Sequence, residues 1–221
     1  MKRFFVSYLA IAVLVISAAF TSCGKDDDGD NGSTGSTVSG TIDPDDLAGS
    51  NWTQVGVSFD GGETFERKVP ITNGKFTIEL PTPSAAQLGE ADDLIDDMDD
   101  MPSNITISEK DVKGVAAEFY VLDANGSSQE AISLIVGNVD LKGNGTIESA
   151  GWMYVDKNVN ISGNQNLTEE GINVTMSVDL KLKQGWNSML MIMKYSNAGM
   201  SINIKSGQPP AGLWMVIAND Y

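Results

Sequence analysis

Apolar and polar residues alternate along most of the chain after residue 37, and this period of two is typical of β-strands with one buried face. Between residues 38 and 80 the alternating segments are separated by Asp60-Gly61-Gly62 and Asn73-Gly74, and such turns are a strong local signal for β-hairpins. Four antiparallel strands are expected there, and residues 105–218 bring the total to about eleven. The pattern therefore predicts an all-β domain, either an antiparallel β-sandwich or a barrel-like sheet pair.

One segment departs from this alternation. In residues 84–101 apolar side chains recur at three- and four-residue steps, which is the spacing of one helical face. We predict one short acidic helix or helical loop on the sheet, and a candidate sub-boundary at residues 83–103 of a domain spanning 38–221. The aspartates on the other sides of this helix offer an alternative, a calcium site, although a charge run is more often a solvated face: Asp92, Asp93, Asp96, Asp97, Asp99 and Asp100.

The first residues have the order of an export signal. Lys2 and Arg3 precede an apolar run over residues 4–20, and the small residues Thr21 and Ser22 precede Cys23. A retained transmembrane helix is the alternative, because the run approaches the length of about 20 residues that spans a bilayer. The small residues before Cys23 favour cleavage, so residues 1–22 are predicted to be a signal peptide.

Phe20-Thr21-Ser22-Cys23 resembles a bacterial lipobox, with Phe20 where leucine is usual. The resemblance implies that the Cys23 thiol is acylated, with chains such as palmitate, and becomes the first mature residue. The next residues resemble the lipoprotein export signal of Bacteroidota, a lysine followed by acidic residues: Lys25, Asp26, Asp27 and Asp28. That resemblance implies an outer membrane lipoprotein facing the cell exterior. Two acyl chains hold a protein on a membrane where one does not.

Residues 23–37 are predicted to be the lipidated cysteine and a flexible acidic tether, since residues 26–37 contain no apolar side chain. Asp26, Asp28 and Asp30 alternate as in a calcium loop. Asn31 and Thr37 stand where such a loop needs glycine and a bidentate glutamate, so the tether is favoured.

Composition excludes several classes of function. The formal net charge is −16, and a surface of that sign repels nucleic acid. The chain has no histidine, which removes Ser-His-Asp and Cys-His catalysis and the usual zinc sites. Cys23 is the only cysteine, so an intramolecular disulfide cannot form. An enzyme built from this chain would have to use carboxylates, or a lysine or tyrosine base.

Several sheet and turn sequences after the signal form a recognisable set: residues 39–42, 74–81, 117–120, 154–163, 182–187 and 210–214. With these segments, the part of the chain after the signal resembles short outer-surface lipoproteins of gut Bacteroidota, a family without an assigned activity. The resemblance implies an all-β surface lipoprotein and carries over no catalytic residue.

Two kinds of side chain are candidates for a site. Tryptophan rings can stack on sugars, although rings within strand patterns more often pack in a core; Trp186 is the least secure as a core residue because it follows a turn. A glycosidase would instead need two carboxylates at a fixed separation. The candidates for that role are Asp60, Glu63, Glu66, Glu118 and Asp123.

The expected function is that of a surface-displayed, non-enzymatic binding, adhesion or structural module for an extracellular glycan or protein, held on the outer membrane by its lipid. A hydrolase that acts on polysaccharide through paired carboxylates is the alternative. No cofactor is expected besides the covalent lipid on Cys23, with calcium as an option, and no nucleic acid partner is expected.

Overall fold

The computed structural model of the protein describes residues 36–90, 104–127, 132–140, 145–169, 172–196, 199–207 and 214–218. These residues form an all-β, sandwich-like fold, as the alternation predicts. They contain fourteen strands, where about eleven were expected: β1 (Thr37–Thr41), β2 (Gln54–Ser58), β3 (Arg67–Pro70), β4 (Lys75–Glu79), β5 (Gly89–Glu90), β6 (Thr106–Ile107), β7 (Lys113–Leu122), β8 (Ile132–Asp140), β9 (Gly145–Val155), β10 (Val159–Glu169), β11 (Ile172–Leu182), β12 (Gly185–Ser196), β13 (Gly199–Ser206) and β14 (Trp214–Ala218).

The first four strands are divided between two sheets. β1 pairs antiparallel with β4 in a two-stranded sheet, and β2 pairs antiparallel with β3 and β7 in the larger sheet. The Asn73-Gly74 turn between β3 and β4 is present, and its residues have φ of 53° and 74°, the left-handed values that such a turn accommodates. Thr72 and Lys75 close it by exchanging backbone hydrogen bonds of 2.8 and 3.0 Å. The prediction of a hairpin is wrong beyond this turn, because β3 and β4 pair with other strands in different sheets. The two sheets also meet where Ile42 forms a parallel bridge with Trp214.

The larger sheet curls. β9 ends at Val155 and β10 begins at Val159, although β12, β13 and β11 lie between them in the sheet. Four residues of extended chain reach at most about 14 Å, whereas four strand spacings across a flat sheet cover about 19 Å. β6 and β7 lie at the resulting seam, where β6 pairs with β10, β7 pairs with β9, and Ser108 N donates to the Asn160 carbonyl at 2.9 Å.

One strand pair differs from the antiparallel prediction. β13 inserts between β11 and β12, so it is antiparallel to β12 and parallel to β11 over Val174–Asp179. The other pairings between strands are antiparallel. The reason is chain order: β11, β12 and β13 alternate in direction, and the third strand fills the place between the first two.

Curling gives strands β9 to β13 an apolar inner face and an outer face. The apolar positions of β11 and β12, such as Leu180, Met189 and Met191, are buried on the inner face. One hydrophobic core cluster runs through the molecule and includes Val57 and Phe76 from the part before residues 83–103. It also contains the aromatic rings of Phe119, Trp152 and Trp214, with ring centroids 4.9–5.4 Å apart.

Helical structure is short throughout the described residues. A four-residue helix, α1 (Pro44–Leu47), follows β1 and is capped by the Asp43 side chain, which accepts from Asp45 N at 3.0 Å. Of the segment predicted to be an acidic helix or helical loop, Ala85–Gln87 form one 3-10 turn and Gly89–Glu90 form β5, while residues 91–101 lie outside the described ranges. No helix in the described part is long and apolar enough to cross a membrane.

Candidate ligand-binding face

The outer surface of β10, β11 and β13 is a continuous array of small polar side chains, which we call the polar face. Alternation puts every second residue of each strand on this surface, and the registers of β10 with β11 and of β11 with β13 align them in rows. The polar face consists of Asn160, Ser162, Asn164, Asn166 and Thr168 on β10, Asn173, Thr175, Ser177, Asp179 and Lys181 on β11, and Ser201, Asn203 and Lys205 on β13.

The polar face is exposed and nearly neutral. Ten of its thirteen side chains are exposed and the other three are half-buried. Ten are uncharged amides or hydroxyls, and the charged ones are two lysines and one aspartate, on a chain whose formal net charge is −16. The polar face is therefore distinguished from the acidic character of the chain as a whole.

Few of its hydrogen-bonding groups are used within the protein. Asn203 Nδ2 donates to Ser177 Oγ at 2.6 Å, and Thr168 Oγ1 donates to Asn173 Oδ1 at 3.1 Å. Lys181 lies 3.7 Å from Asp179 in an exposed ion pair. Within the described part of the chain, the side chains of Asn164, Asn166 and Thr175 have no hydrogen-bond partner. Amides and hydroxyls both donate and accept, so the face presents both functions to a ligand.

Trp186 lies elsewhere, on β12, and is half-buried. Its Nε1 donates to the Pro81 carbonyl at 3.1 Å, and its ring is 5.6 Å from both Phe59 and Tyr154, tilted by 39° to the first and by 74° to the second. These contacts hold the indole where the first part of the chain packs on β9 and β12. The ring is packed on two neighbours and does not form a flat platform with them.

The other tryptophans pack in the core, as predicted, but they are buried to different extents. Trp152 and Trp214 are buried, and their rings stack with centroids 5.4 Å apart. Trp52 is half-buried and packs against the same core cluster.

Among the candidate carboxylates, Glu118 and Asp60 come close to one another. Glu118 lies opposite Ser58 in the β2–β7 pair, and its side chain is half-buried. It accepts a hydrogen bond from Tyr120 Oη at 2.7 Å. Desolvation by this burial raises the pKa of Glu118, and the negative charge of Asp60 adds to the rise, against the hydrogen bonds from Tyr120 and Gly61.

Asp60 organises the loop of residues 59–64. Its carboxylate accepts from Thr64 N at 2.9 Å, from Thr64 Oγ1 at 2.5 Å and from Ser58 Oγ at 2.7 Å. Burial acts to raise the pKa of Asp60, but these hydrogen bonds outweigh it and the pKa lies below its ordinary value. The hydrogen bonds that Ser58 and Thr64 donate to the Asp60 carboxylate therefore all stabilise this loop.

The other three candidate carboxylates make separate contacts or are exposed. Asp123 accepts from Ser127 N at 3.1 Å and from Asn125 N at 2.8 Å, so it closes the turn after β7. Glu66 accepts from Gln87 Nε2 at 2.5 Å, and Glu63 is exposed. Within the described ranges, no three acidic or cysteine side chains are grouped so that they could hold a metal ion.

The lipidation and calcium predictions fall outside the described residues. These are Cys23 and the export signal Lys25, Asp26, Asp27 and Asp28, and the aspartates Asp92, Asp93, Asp96, Asp97, Asp99 and Asp100. In comparisons with known proteins, the chain matches no family model, no curated protein and no solved structure.

Apolar alternation does not reveal the polar face, because β10 has Gly163 and Gln165 at the alternate positions after Ile161. The signal was present: Asn160, Ser162, Asn164, Asn166 and Thr168 occupy alternate positions. Polar residues on alternate positions mark a strand face as clearly as apolar ones do.

Proposed function

We propose that the protein is a lipid-anchored, surface-displayed module that binds an extracellular glycan through the polar face. The observation that carries the proposal is the array of uncharged amides and hydroxyls with unused hydrogen-bonding capacity at Asn164, Asn166 and Thr175. Sugars present hydroxyls that both donate and accept, and such groups are matched by amides and hydroxyls in rows. Hydrogen bonds to a polyhydroxyl ligand favour it over analogues that lack the hydroxyls.

A glycan fits this face better than a protein partner does. The cores of protein interfaces are enriched in aromatic residues, methionine and arginine. The thirteen residues of the polar face include none of these. A glycan needs no apolar centre, because its hydroxyls can be bound directly or through ordered water.

The experiment that tests this is a glycan array with the detergent-purified protein, followed by titration of each glycan that binds. Asn166 and Thr175 face one another across β10 and β11, so the double variant Asn166→Ala, Thr175→Ala removes one row of the face. Losing two hydrogen bonds of about 1 kcal/mol each lowers affinity roughly thirty-fold.

The matched control is Ser39→Ala, Thr77→Ala, an opposed pair on the exposed side of the two-stranded sheet whose hydroxyls lie 2.9 Å apart. This variant is expected to keep the affinity of the unaltered protein. Absence of binding to every glycan, or equal losses in the two double variants, would overturn the proposal.

The anchor and the surface display are tested on cells. Metabolic labelling with an alkynyl palmitate is expected to label the unaltered chain and to leave the Cys23→Ala variant unlabelled. Protease treatment of intact cells is expected to digest the anchored protein. Persistence of the protein under conditions that digest a known surface protein would refute display on the exterior.

A polysaccharide hydrolase remains the second candidate, and the Asp60–Glu118 pair is the observation in its favour, because their pKa values move in opposite directions. Pairs of carboxylates with pKa values pushed apart occur in glycosidases. Release of reducing ends from a bound polysaccharide, abolished by Glu118→Gln, would establish it. The glycan-binding proposal expects no release.

A further inference from the structure

The inner face of the curled sheet contains two separate buried groups. Met191, Val178 and Ile204 belong to the main hydrophobic core. One row further along, Ile147 and Met193 form a second cluster, against which Tyr195, Met200 and Ile202 pack. The rows follow the register of β9 with β12, in which Ser149 pairs with Met191 and Ile147 pairs with Met193.

Between these groups lies a buried polar side chain without a partner. Ser149 is 1% exposed, and its Oγ has no hydrogen-bond partner among the described residues. It shares the inner face with Ile147, because residues two apart in a strand point to the same side. Gln165 Oε1, at an inner-face position of β10 opposite Met176, is likewise buried without a partner. Buried polar atoms are rarely left unpaired, since each costs about 1–3 kcal/mol.

On β11 and β13 the inner face becomes less covered towards one end, which we call the open end. Along β11 the exposed fraction is 2% at Leu182, 5% at Leu180 and 8% at Val178. Val174 and Met176 are half-buried, and Ile172 is 39% exposed. β13 shows the same trend, from buried Ile204 to half-buried Ile202 and Met200. The part of the inner face beside Ile172 and Met200 is therefore less covered than the rows that contain Val178 and Ile204.

The side chains around the open end define the chemistry of what fits. Methionine is flexible and polarisable, so the methionine side chains can adapt to an apolar molecule. Glu169, which pairs with Ile172 at the end of β10, is the charged residue among the inner-face positions of β9 to β13, and the positions deeper along the face carry no charge. A charged group buried there would have no counter-charge, so it would be strongly disfavoured. A neutral molecule with one hydrogen-bonding group would instead satisfy Ser149 or Gln165.

We propose that the open end of the inner face, between Ser149 and Ile172, binds a neutral, elongated apolar molecule that carries a single hydroxyl group. The apolar part contacts Met176, Met193 and Ile202, and the hydroxyl hydrogen-bonds with Ser149 or Gln165. This site lies on the opposite surface of the strands from the polar face. It is therefore independent of the glycan-binding proposal.

The test uses the detergent-exchanged whole protein and the fluorescent probe N-phenyl-1-naphthylamine, a neutral apolar molecule with one N–H donor. Its fluorescence is expected to rise on binding, and 1-dodecanol is expected to displace it. Dodecanoate, with the same chain and a carboxylate, is expected to displace it at least ten-fold less effectively. No rise in fluorescence, or equal displacement by alcohol and carboxylate, would overturn the proposal.

Two variants locate the site. Ser149→Ala removes a hydroxyl that no described residue binds, so it is expected to leave the melting temperature undiminished and to weaken 1-dodecanol binding about five-fold, the worth of one net hydrogen bond. Met200→Trp, at the half-buried open end, is expected to block binding by its volume. It provides a second test if the Ser149 variant folds poorly.

The matched control is Thr175→Trp, which places the same indole on the outer surface of the neighbouring strand, where Thr175 pairs with Ser201. It is expected to keep 1-dodecanol binding and to lose glycan binding, whereas Met200→Trp does the reverse. Retained alcohol binding in both Ser149→Ala and Met200→Trp would refute the inner site and leave the glycan proposal standing. If both tryptophan variants keep glycan binding, the glycan proposal is refuted and the proposal of the inner site stands.

Discussion

The backbone of Gly40 on β1 lies against the indole ring of Trp214 on β14, with no space between them for a side chain. A Cβ built on Gly40 would overlap Nε1 and Cδ1 of Trp214 and lie 2.8 Å from Phe76 Cε1. Trp214 is itself stacked on Trp152, so its ring has little room to move aside. Glycine at this position is therefore a requirement of packing between the two sheets.

Gly40→Ala is accordingly expected to lower the free energy of unfolding by about 1–3 kcal/mol, the usual cost of overfilling a packed core. Urea denaturation followed by tryptophan fluorescence measures it. Gly207→Ala is the control, because a Cβ there would meet Leu190 Cβ at 3.7 Å, an ordinary contact. Equal stability of the two variants would show that the sheets can separate at Gly40 without cost.

Trp186→Phe is expected to reduce stability by about 1 kcal/mol, because it removes the hydrogen bond from Nε1 to the Pro81 carbonyl. Glycan affinity is expected to stay unchanged, since the polar face does not include this residue. Titration of the bound glycan and a thermal melt of the same sample check both statements. A large loss of glycan affinity would instead put the sugar on this ring, as the turn before Trp186 first suggested.

Glu118→Gln is expected to raise the melting temperature at pH 7. Burial holds the pKa of Glu118 above its unfolded value of 4.5, so the favourable contribution of this group is complete below pH 4.5 and is lost as the pH rises through the raised pKa. The neutral amide avoids that loss, and Tyr120 can still donate to it.

Melts of both proteins at pH 7 and below pH 4.5 measure the effect, which is expected to vanish in acid. Glu63→Gln, an exposed substitution in the same loop, is the control and is expected to change little at either pH. A gain that persists unchanged in acid would exclude ionisation of Glu118 as its cause.

Asp123→Asn is expected to show the opposite pH dependence. The hydrogen bond from Ser127 N, followed by others in the turn, lowers the pKa of Asp123 below 3.8. Its contribution to stability is therefore present above pH 3.8 and lost as the pH falls through the lowered pKa. The variant should melt lower than the unaltered protein at pH 7 and approach it in strong acid. A constant difference at all pH values would assign the effect to turn geometry alone.

The strands that the sequence predicts well are those in which burial differs between alternate positions. Apolar residues alternate from Val174 to Leu182, and this segment lies within β11. The run from Ser188 to Tyr195 is apolar at the successive positions 189–193 and lies within β12, where Met189, Met191 and Met193 are buried. β5 has two residues, and so short a segment has no period to detect.

Other features depend on contacts between distant residues. Nothing local to β13 indicates that it separates β11 from β12, because this is decided by pairing with both. The approach of Glu118 to Asp60 follows from the register that pairs Glu118 with Ser58. Candidate residues could thus be listed from the sequence, but their grouping could not.

The positions of β13 and β14 in the larger sheet affect the rate at which the protein can fold. β10 and β11 form a local hairpin, and so do β12 and β13, and within the described strands the two hairpins pair with each other through the parallel contact of β11 with β13. β14 then links β8 to β1 through Trp214 and Ile42. Contacts between residues far apart in the chain form slowly. The nascent polypeptide therefore cannot complete its core until residues 199–218 have been synthesised.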